Sequence, residues 1–339
     1  MENRKLGVAI HGAGWVAGAH AASWVKNAHV RIVSISDIHK ERAAQMASRM
    51  GLDCAVRDSY EEVLRDDRVD IVDLCGPSHV HAEQGIAAAE AGKHVLVEKP
   101  IALNMAENRA LRDAVARSGV RSLAGFVLRW NPAVQTMKSL VQAGAIGRLL
   151  YIEIDYWHAI KPTHHAWQLH SKKTAGSAML LAGCHAVDAM RWLSGDEVVE
   201  VAAMGNNQRG LFEYDANVAA IMKFRSGIIG KTSALFEAEM PYSFNIDLAG
   251  TEGTIRDNRL WSKKLLPGQT NWATIPTILP DSGDVSHHPF DAELDHFVQC
   301  IREGRESHCN IADAYRTHEL CMAIDRALAE GGFVKLGET

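Results

Sequence analysis

Apolar residues run along this chain in two rhythms, and the rhythm changes near residue 126. Up to there, short and nearly continuous apolar runs alternate with Ala-rich segments of helical spacing, which is the pattern of strands buried on both faces beneath helices. The run from Leu6 to Ile10 and the stretches Val30 to Ser36, Val69 to Cys75, His94 to Glu98 and Arg121 to Phe126 are predicted as strands. Helices are predicted after Gly14 to about Lys26, over Lys40 to Met50, Tyr60 to Arg65 and His81 to Ala91, and from the cap Asn104 to Arg117. Gly51 and Gly92 stand where a helix C-terminus turns left-handed. Strand and helix alternate over connections of a few residues, so this part is an α/β doubly wound parallel sheet, with ligands beyond the carboxyl ends of its strands.

Asn131-Pro132 then opens a helix that Gly144 ends, and from Arg148 a period of two takes over. Leu149 to Trp157, Val198 to Met204, Ala216 to Phe224, Gly227 to Phe236, Tyr242 to Gly250 and Gly253 to Arg256 are predicted as strands of a large, mainly antiparallel open sheet. Helices at about Leu180 to Leu193, Phe290 to Glu303 and Ile311 to Glu330 are expected on its inner face, and Leu266 to Ser286 as a long loop. The outer face needs cover, which a second copy of the chain supplies, so a homodimer or homotetramer is expected. The division is 1–126, a dinucleotide-binding domain, and 127–339, an α+β domain for substrate and assembly.

Composition narrows the function. With 339 residues, two domains are the natural count, and 47% hydrophobic with 23% charged residues is a soluble globular balance. A net charge of -5 and the lack of a Lys/Arg cluster argue against nucleic acid. No apolar run is long enough for a bilayer and Met1 to Lys5 lead straight into the first strand, so a cytoplasmic protein without a membrane partner is expected. Cys54, Cys75, Cys184, Cys300, Cys309 and Cys321 form no CxxC pair and read as reduced thiols.

The candidate chemistry begins at Gly12-x-Gly14-x-x-Ala17, which follows the first strand and opens a helix. Gly12 permits the sharp turn, Gly14 lets backbone approach a pyrophosphate, Ala17 keeps helix and strand close, and the helix N-terminus offers N–H groups to phosphate. Ala13, Trp15 and Val16 belong to the same cradle. Asp37 ends the second strand, where an acid accepts from the adenosine ribose. This favours NAD, with Lys40 leaving NADP as the lesser alternative. The strand-end rule gathers three loops at one edge, Gly12 to Gly18, Gly76 to His81 and Glu98 to Pro100.

Gly12-x-Gly14-x-x-Ala17, Pro77-x-x-x-His81, Glu98-Lys99-Pro100, the Arg129-Trp130-Asn131-Pro132 junction and Gly183-Cys184-His185-Ala186-Val187-Asp188 follow in one order. In this the whole chain resembles the glucose-fructose oxidoreductase / inositol dehydrogenase (Gfo/Idh/MocA) family. The resemblance implies an NAD(P)-dependent dehydrogenase of a sugar, glycoside or cyclitol. It implies that Lys99 sits by the nicotinamide and the reacting hydroxyl, and that His185 exchanges the substrate proton. Cys75, Gly76, Pro77, His81 and Glu98 fall to the cofactor loops, and Arg129 to the substrate side. The chemistry agrees, because alcohol oxidation needs a base for the O–H proton and an ammonium to stabilise alkoxide character.

The chain departs from the family at Leu181, where the usual pattern has an aspartate one helical turn before the histidine. Leucine accepts no hydrogen bond, so a substitute is sought in the segment from Tyr156 to His170. There Tyr156, Trp157, His158, His164, His165 and Trp167 offer rings for a sugar face and imidazoles for its hydroxyls. The four histidines of that segment match no ligand spacing, and no metal is assigned. Rival readings are a redox-assisted NAD-dependent glycosidase and a non-catalytic dinucleotide or sugar sensor.

Overall fold

The computed structural model describes residues 4–160, 167–277 and 288–337. The chain forms two compact units, Met1–Phe126 with Phe290–Arg316, and Val127–Pro289 with Thr317–Thr339. Residues 290–316 therefore fold with the first unit, whereas the sequence division put them in the second. The helix Phe290–Glu303, expected under the second sheet, packs instead on the helix Trp15–Trp24. Lys26 Nζ reaches Asp291 at 2.8 Å and the Asn27 amide donates to Asp295 at 2.6 Å. An amphipathic pattern specifies that a helix has an apolar face, not which sheet receives it.

In the first unit, β1 (Leu6–His11), β2 (Val30–Ser36), β3 (Ala55–Arg57), β4 (Ile71–Leu74), β5 (His94–Val97) and β6 (Ser122–Ala124) form one sheet in the order β3-β2-β1-β4-β5-β6. All neighbours are parallel. The order reverses between β1 and β4, which opens a crevice beyond their carboxyl ends. Val8, Ala9, Ile10, Ile71, Val72, Val95 and Leu96 are fully buried, as strands sandwiched between helices must be. Asn104 caps the helix Met105–Ser118 by accepting the Glu107 N–H at 3.0 Å.

In the second unit, β7 (Leu149–Trp157), β8 (Val198–Asn206), β9 (Asn217–Phe224), β10 (Ile229–Leu235), β11 (Ser243–Gly250), β12 (Gly253–Arg256), β13 (Arg259–Ser262), β14 (Ala273–Thr274) and β15 (Phe333–Lys335) form a sheet in the order β14-β13-β12-β11-β7-β10-β9-β8-β15. Among the described residues only β7 and β10 run parallel in this sheet. Ile152, Ile154 and Tyr156 of β7 and Phe244, Ile246 and Leu248 of β11 are buried, and the helix Cys184–Ser194 packs on β7 and β10. A π-helical turn, Met179–Gly183, leads into that helix. The opposite face carries the cross-strand row Phe333, Ala202, Ile221, Lys231, Glu153, Asp247 and Arg256.

Candidate active site

The turn after β1 has the shape of a phosphate cradle. Gly12 takes φ +96°, and a Cβ there would lie 2.7 Å from the backbone of Cys75 and Gly76, so only glycine fits. Gly14 is the N-cap of the helix Trp15–Trp24 and brings no side chain to its N–H groups, and no acid stands in the first turn. A Cβ on Gly14 would meet nothing within 4 Å, which leaves the approach open. Asp37 buckles the end of β2 to this turn: Oδ2 accepts the Ala13 N–H at 2.8 Å and Oδ1 the His39 N–H at 2.9 Å. N–H donors for a pyrophosphate and a carboxylate beside them are the donor and acceptor set that a dinucleotide needs, and the residues present fit it.

The two neighbouring loops are braced to each other from within. His81 is buried, with Nδ1 2.8 Å from the Pro100 carbonyl and Nε2 2.9 Å from the Gly76 carbonyl. Burial holds its pKa below the ordinary histidine value. It joins the Gly76 loop to the Pro100 loop, with both ring nitrogens set against backbone carbonyls. Cys75 likewise turns its thiol inward, 3.3 Å from Asp73 Oδ1. Glu98 Oε2 accepts the N–H of Lys99 at 3.1 Å.

The second unit gathers rings around His185. Tyr156, pointing inward from β7, stacks on His185 with centroids 6.0 Å apart and planes 15° apart. His288 meets His185 edge-on at 6.2 Å, and Tyr242 meets Tyr156 edge-on at 5.2 Å and His158 at 5.5 Å. The Tyr156 hydroxyl is 3.5 Å from His158 Nδ1. Burial pushes both tyrosine phenols up, so they stay protonated. Tyr242 and His288 were missed from sequence. Tyr242 carried a usable signal, since it stands two residues before Phe244, just ahead of β11, and shares its inward parity.

Trp157 and Arg129, two of the expected substrate residues, have hydrogen-bond partners outside this ring cluster, and so does His170. Trp157 follows Tyr156 on β7 and must face the other way; its indole N–H donates to Ser233 Oγ at 2.7 Å on the outer face. Arg129 is buried, its Nε and Nη2 donating to Asp188 at 2.7 and 2.6 Å, so its guanidinium is committed to an ion pair. His170 stacks on Phe212 at 4.3 Å and contacts the Leu211 carbonyl. His164 and His165 lie outside the described residues; Trp167 starts the short helix Trp167–His170, and its side chain also lies outside them. Leu181 is buried in the π-helical turn.

Among the described residues, the ligand-type side chains close enough to share a cation are His20, Asp73 and Cys75. Their chemistry fits hydrogen bonding better. Burial keeps the Cys75 thiol protonated, and Asp73 Oδ2 already accepts the Trp24 indole N–H at 2.7 Å.

Two models of one family match the chain, the oxidoreductase family with NAD-binding Rossmann fold over residues 6–126 and the GFO/IDH/MocA C-terminal domain over 134–256. The chain belongs to the Gfo/Idh/MocA oxidoreductase family. It is 29% identical to the scyllo-inositol 2-dehydrogenase (NAD(+)) of Bacillus subtilis over 90% of this chain and 89% of that one. It is 27% identical to the myo-inositol 2-dehydrogenase of Thermotoga maritima over 73% and 74%. The solved levoglucosan dehydrogenase in complex with NADH and levoglucosan superposes with a TM-score of 0.89 at 26% identity, over 99% of this chain and 100% of that one. As a Gfo/Idh/MocA member the chain is an NAD-binding oxidoreductase with a parallel Rossmann sheet and a mainly antiparallel second sheet.

Proposed function

We propose that this enzyme transfers hydride between a hydroxyl-bearing carbon of a sugar, glycoside or cyclitol and NAD. The observation that carries the reading is the ring cluster in the second unit, with Tyr156 stacked on His185 and His158, Tyr242 and His288 around them. Aromatic faces suit the C–H face of a saturated ring, and imidazoles and phenols suit its hydroxyls. The relatives named for inositols and levoglucosan support the same substrate class.

In this reading the cradle from Gly12 to Val16, Asp37 and the loops at Cys75 to Pro77 and Glu98 to Lys99 hold the cofactor, which supplies the hydride acceptor. Lys99 holds the reacting oxygen as alkoxide character grows, and His185 takes its proton. With Leu181 in place of an acid, orientation of the His185 ring falls to its neighbours Tyr156 and His288. Cys54, Cys75, Cys184, Cys300, Cys309 and Cys321 are all free thiols, which suits a reducing compartment, so we place the enzyme in the cytoplasm. Among the described residues no helix is long and apolar enough to cross a membrane. The outer sheet face, with Ile221 and Ile229 exposed beside the Lys231 and Glu153 pair, suits a self-complementary homodimer or homotetramer contact.

The test is NADH formation with a panel of pyranoses, glycosides and inositols, using the unmodified chain, Lys99→Ala and His185→Ala. Turnover that falls roughly a hundredfold or more in both variants supports the assignment. Near-normal turnover in His185→Ala overturns its role. Aglycone release without net NADH would replace the dehydrogenase by a redox-assisted glycosidase, and no turnover at all by a sensor.

A further inference from the structure

Beneath the Lys99 loop the first unit holds a buried charge network that the proposed chemistry leaves unused. His20 lies on the helix Trp15–Trp24 and is fully buried. Its Nδ1 is 3.0 and 3.1 Å from the two oxygens of Asp73 on β4, and its Nε2 is 3.2 Å from Oε1 of Glu98, the residue that follows β5. Asp73 also accepts the Trp24 indole N–H at 2.7 Å and the Cys75 thiol at 3.3 Å. From the helix Phe290–Glu303, Phe290 sets its ring against His20 at 4.9 Å. Glu293 of that helix is fully buried, with neither carboxyl oxygen hydrogen-bonded.

A neutral imidazole has one N–H and one lone pair. With a carboxylate at each ring nitrogen, the neutral form would turn its lone pair towards one of them, while the imidazolium offers each an N–H. The Nε2 approach to Glu98 is a charge contact and not a well-aligned hydrogen bond, which makes the positive charge more important than the exact donor angle. Burial pulls the pKa of His20 down, but contact with Asp73 and Cys75 together raises it well above the ordinary value. Burial, with Glu98 nearby, pushes the Glu293 carboxyl well up, so Glu293 adds no further negative charge.

Glu98 is held on its far side too. A Cβ on Gly125 would lie 2.5 Å from Glu98 Oε1, so the carboxylate rests against bare backbone. Its other oxygen takes the Lys99 N–H. The result is a strut from Asp73 through His20 and Glu98 to the backbone of Lys99.

We propose that His20 is a positioning residue: as a buried imidazolium tied to Asp73 it fixes the Glu98 carboxylate and, through it, the backbone from which Lys99 reaches the reacting hydroxyl. This rests on the reading that Lys99 acts on that hydroxyl.

The first arm of the test needs no mutation in the measured protein. In the full-length chain with NAD bound and its histidines labelled with 15N, the signals absent from His20→Gln should show both ring nitrogens protonated at neutral pH. A neutral tautomer there overturns the proposal. The second arm is kinetic. His20→Gln and Gly125→Ala should each lower kcat tenfold to a hundredfold, roughly what a small misplacement of a catalytic group costs, while KM for NAD moves less than about threefold. A merely structural role would lower Tm and leave the kcat of folded enzyme unchanged, and that result also overturns it. If His20→Gln does not fold, Gly125→Ala carries the kinetic arm, and resonances lost on adding His20→Asn assign the label. Lys99→Ala separates the two levels: full turnover there removes the role of Lys99 whatever the spectrum shows. Loss there with unchanged kcat in Gly125→Ala and His20→Gln removes only the strut.

Discussion

Arg129 closes on Asp188 as a two-pronged ion pair in which each side chain is 2% exposed, and Thr317 Oγ1 donates to the same carboxylate at 3.0 Å. The Arg129 junction and the His185 motif, 59 positions apart, are thus one structural feature. The pair ties the junction to the helix Cys184–Ser194, which carries His185 one turn before Asp188. Removing one partner leaves a buried charge uncompensated, at a cost of about 3–5 kcal/mol, whereas replacing both with apolar residues costs less. Asp188→Asn and Arg129→Leu should each shift the urea midpoint sharply down, with Arg129→Leu/Asp188→Leu recovering part of the loss. Single variants as stable as the unmodified chain would show that the pair contributes nothing.

Glu293 makes stability depend on pH in a defined direction. Its folded pKa is raised above the ordinary 4.5, so the native chain keeps a proton that the unfolded chain releases. Its contribution is complete below about pH 4.5 and is lost as pH rises towards the folded value. His20, raised above 6.5, acts in the same direction over a higher window. Tm should fall as the buffer is taken from pH 5 to pH 8, and Glu293→Gln should flatten that fall. An identical slope in the variant would mean that Glu293 does not titrate in this range.

Asp37 tightens the Gly12 turn, and in the proposed reading its carboxylate also accepts from the cofactor's ribose. Asp37→Ala should weaken NADH binding by roughly tenfold, the worth of one charge-assisted hydrogen bond, and narrow the preference over NADPH. Fluorescence titration of both cofactors reads the two effects separately. Equal affinities in the unmodified protein would remove the selectivity argument.

The outer sheet face should assemble copies. Ile229 is 58% exposed and Ile221 53%, and they sit cross-strand from Lys223 and Lys231, so one patch combines apolar and charged groups. Ile221→Lys/Ile229→Lys should reduce the mass in light scattering towards 37.1 kDa. A monomer before mutation would contradict the expectation.

The Rossmann elements were legible because strands buried on both faces read as unbroken apolar runs and the helices between them carry terminal signals such as Asn104 and Gly51. β3, β13, β14 and β15 were not, since two to four residues are too few to establish a period. Phe290–Glu303 was bounded correctly and assigned to the wrong sheet, because Asn27 and Lys26, which hold it, are distant in sequence. The π-helical turn before His185 left no signature in an apolar run that suits an α-helix equally well. His288 reaches His185 only through the tertiary fold.

Tyr156 and Trp157 are neighbours in sequence, and strand alternation sends them to opposite faces of β7, so they separate the site from the scaffold in one experiment. Tyr156 is buried and stacked on His185, while the Trp157 indole is tied to Ser233 on the outer face. In the proposed reading His185 accepts the proton; removing the stacked ring loosens its imidazole, and misplacement of a proton acceptor by about an ångström is worth roughly a hundredfold. Tyr156→Ala should therefore lower kcat by roughly tenfold to a hundredfold, and Tyr156→Phe, which keeps the stack but loses the hydroxyl contact to His158, by less. Trp157→Phe should leave kcat within about twofold, because its change falls on the sheet face away from the imidazole. Steady-state kinetics on folded, cofactor-loaded protein decide the matter. A larger loss in Trp157→Phe than in Tyr156→Ala would mean that the reacting hydroxyl is not bound on the inner face, and that His185 is held for packing and not for proton transfer.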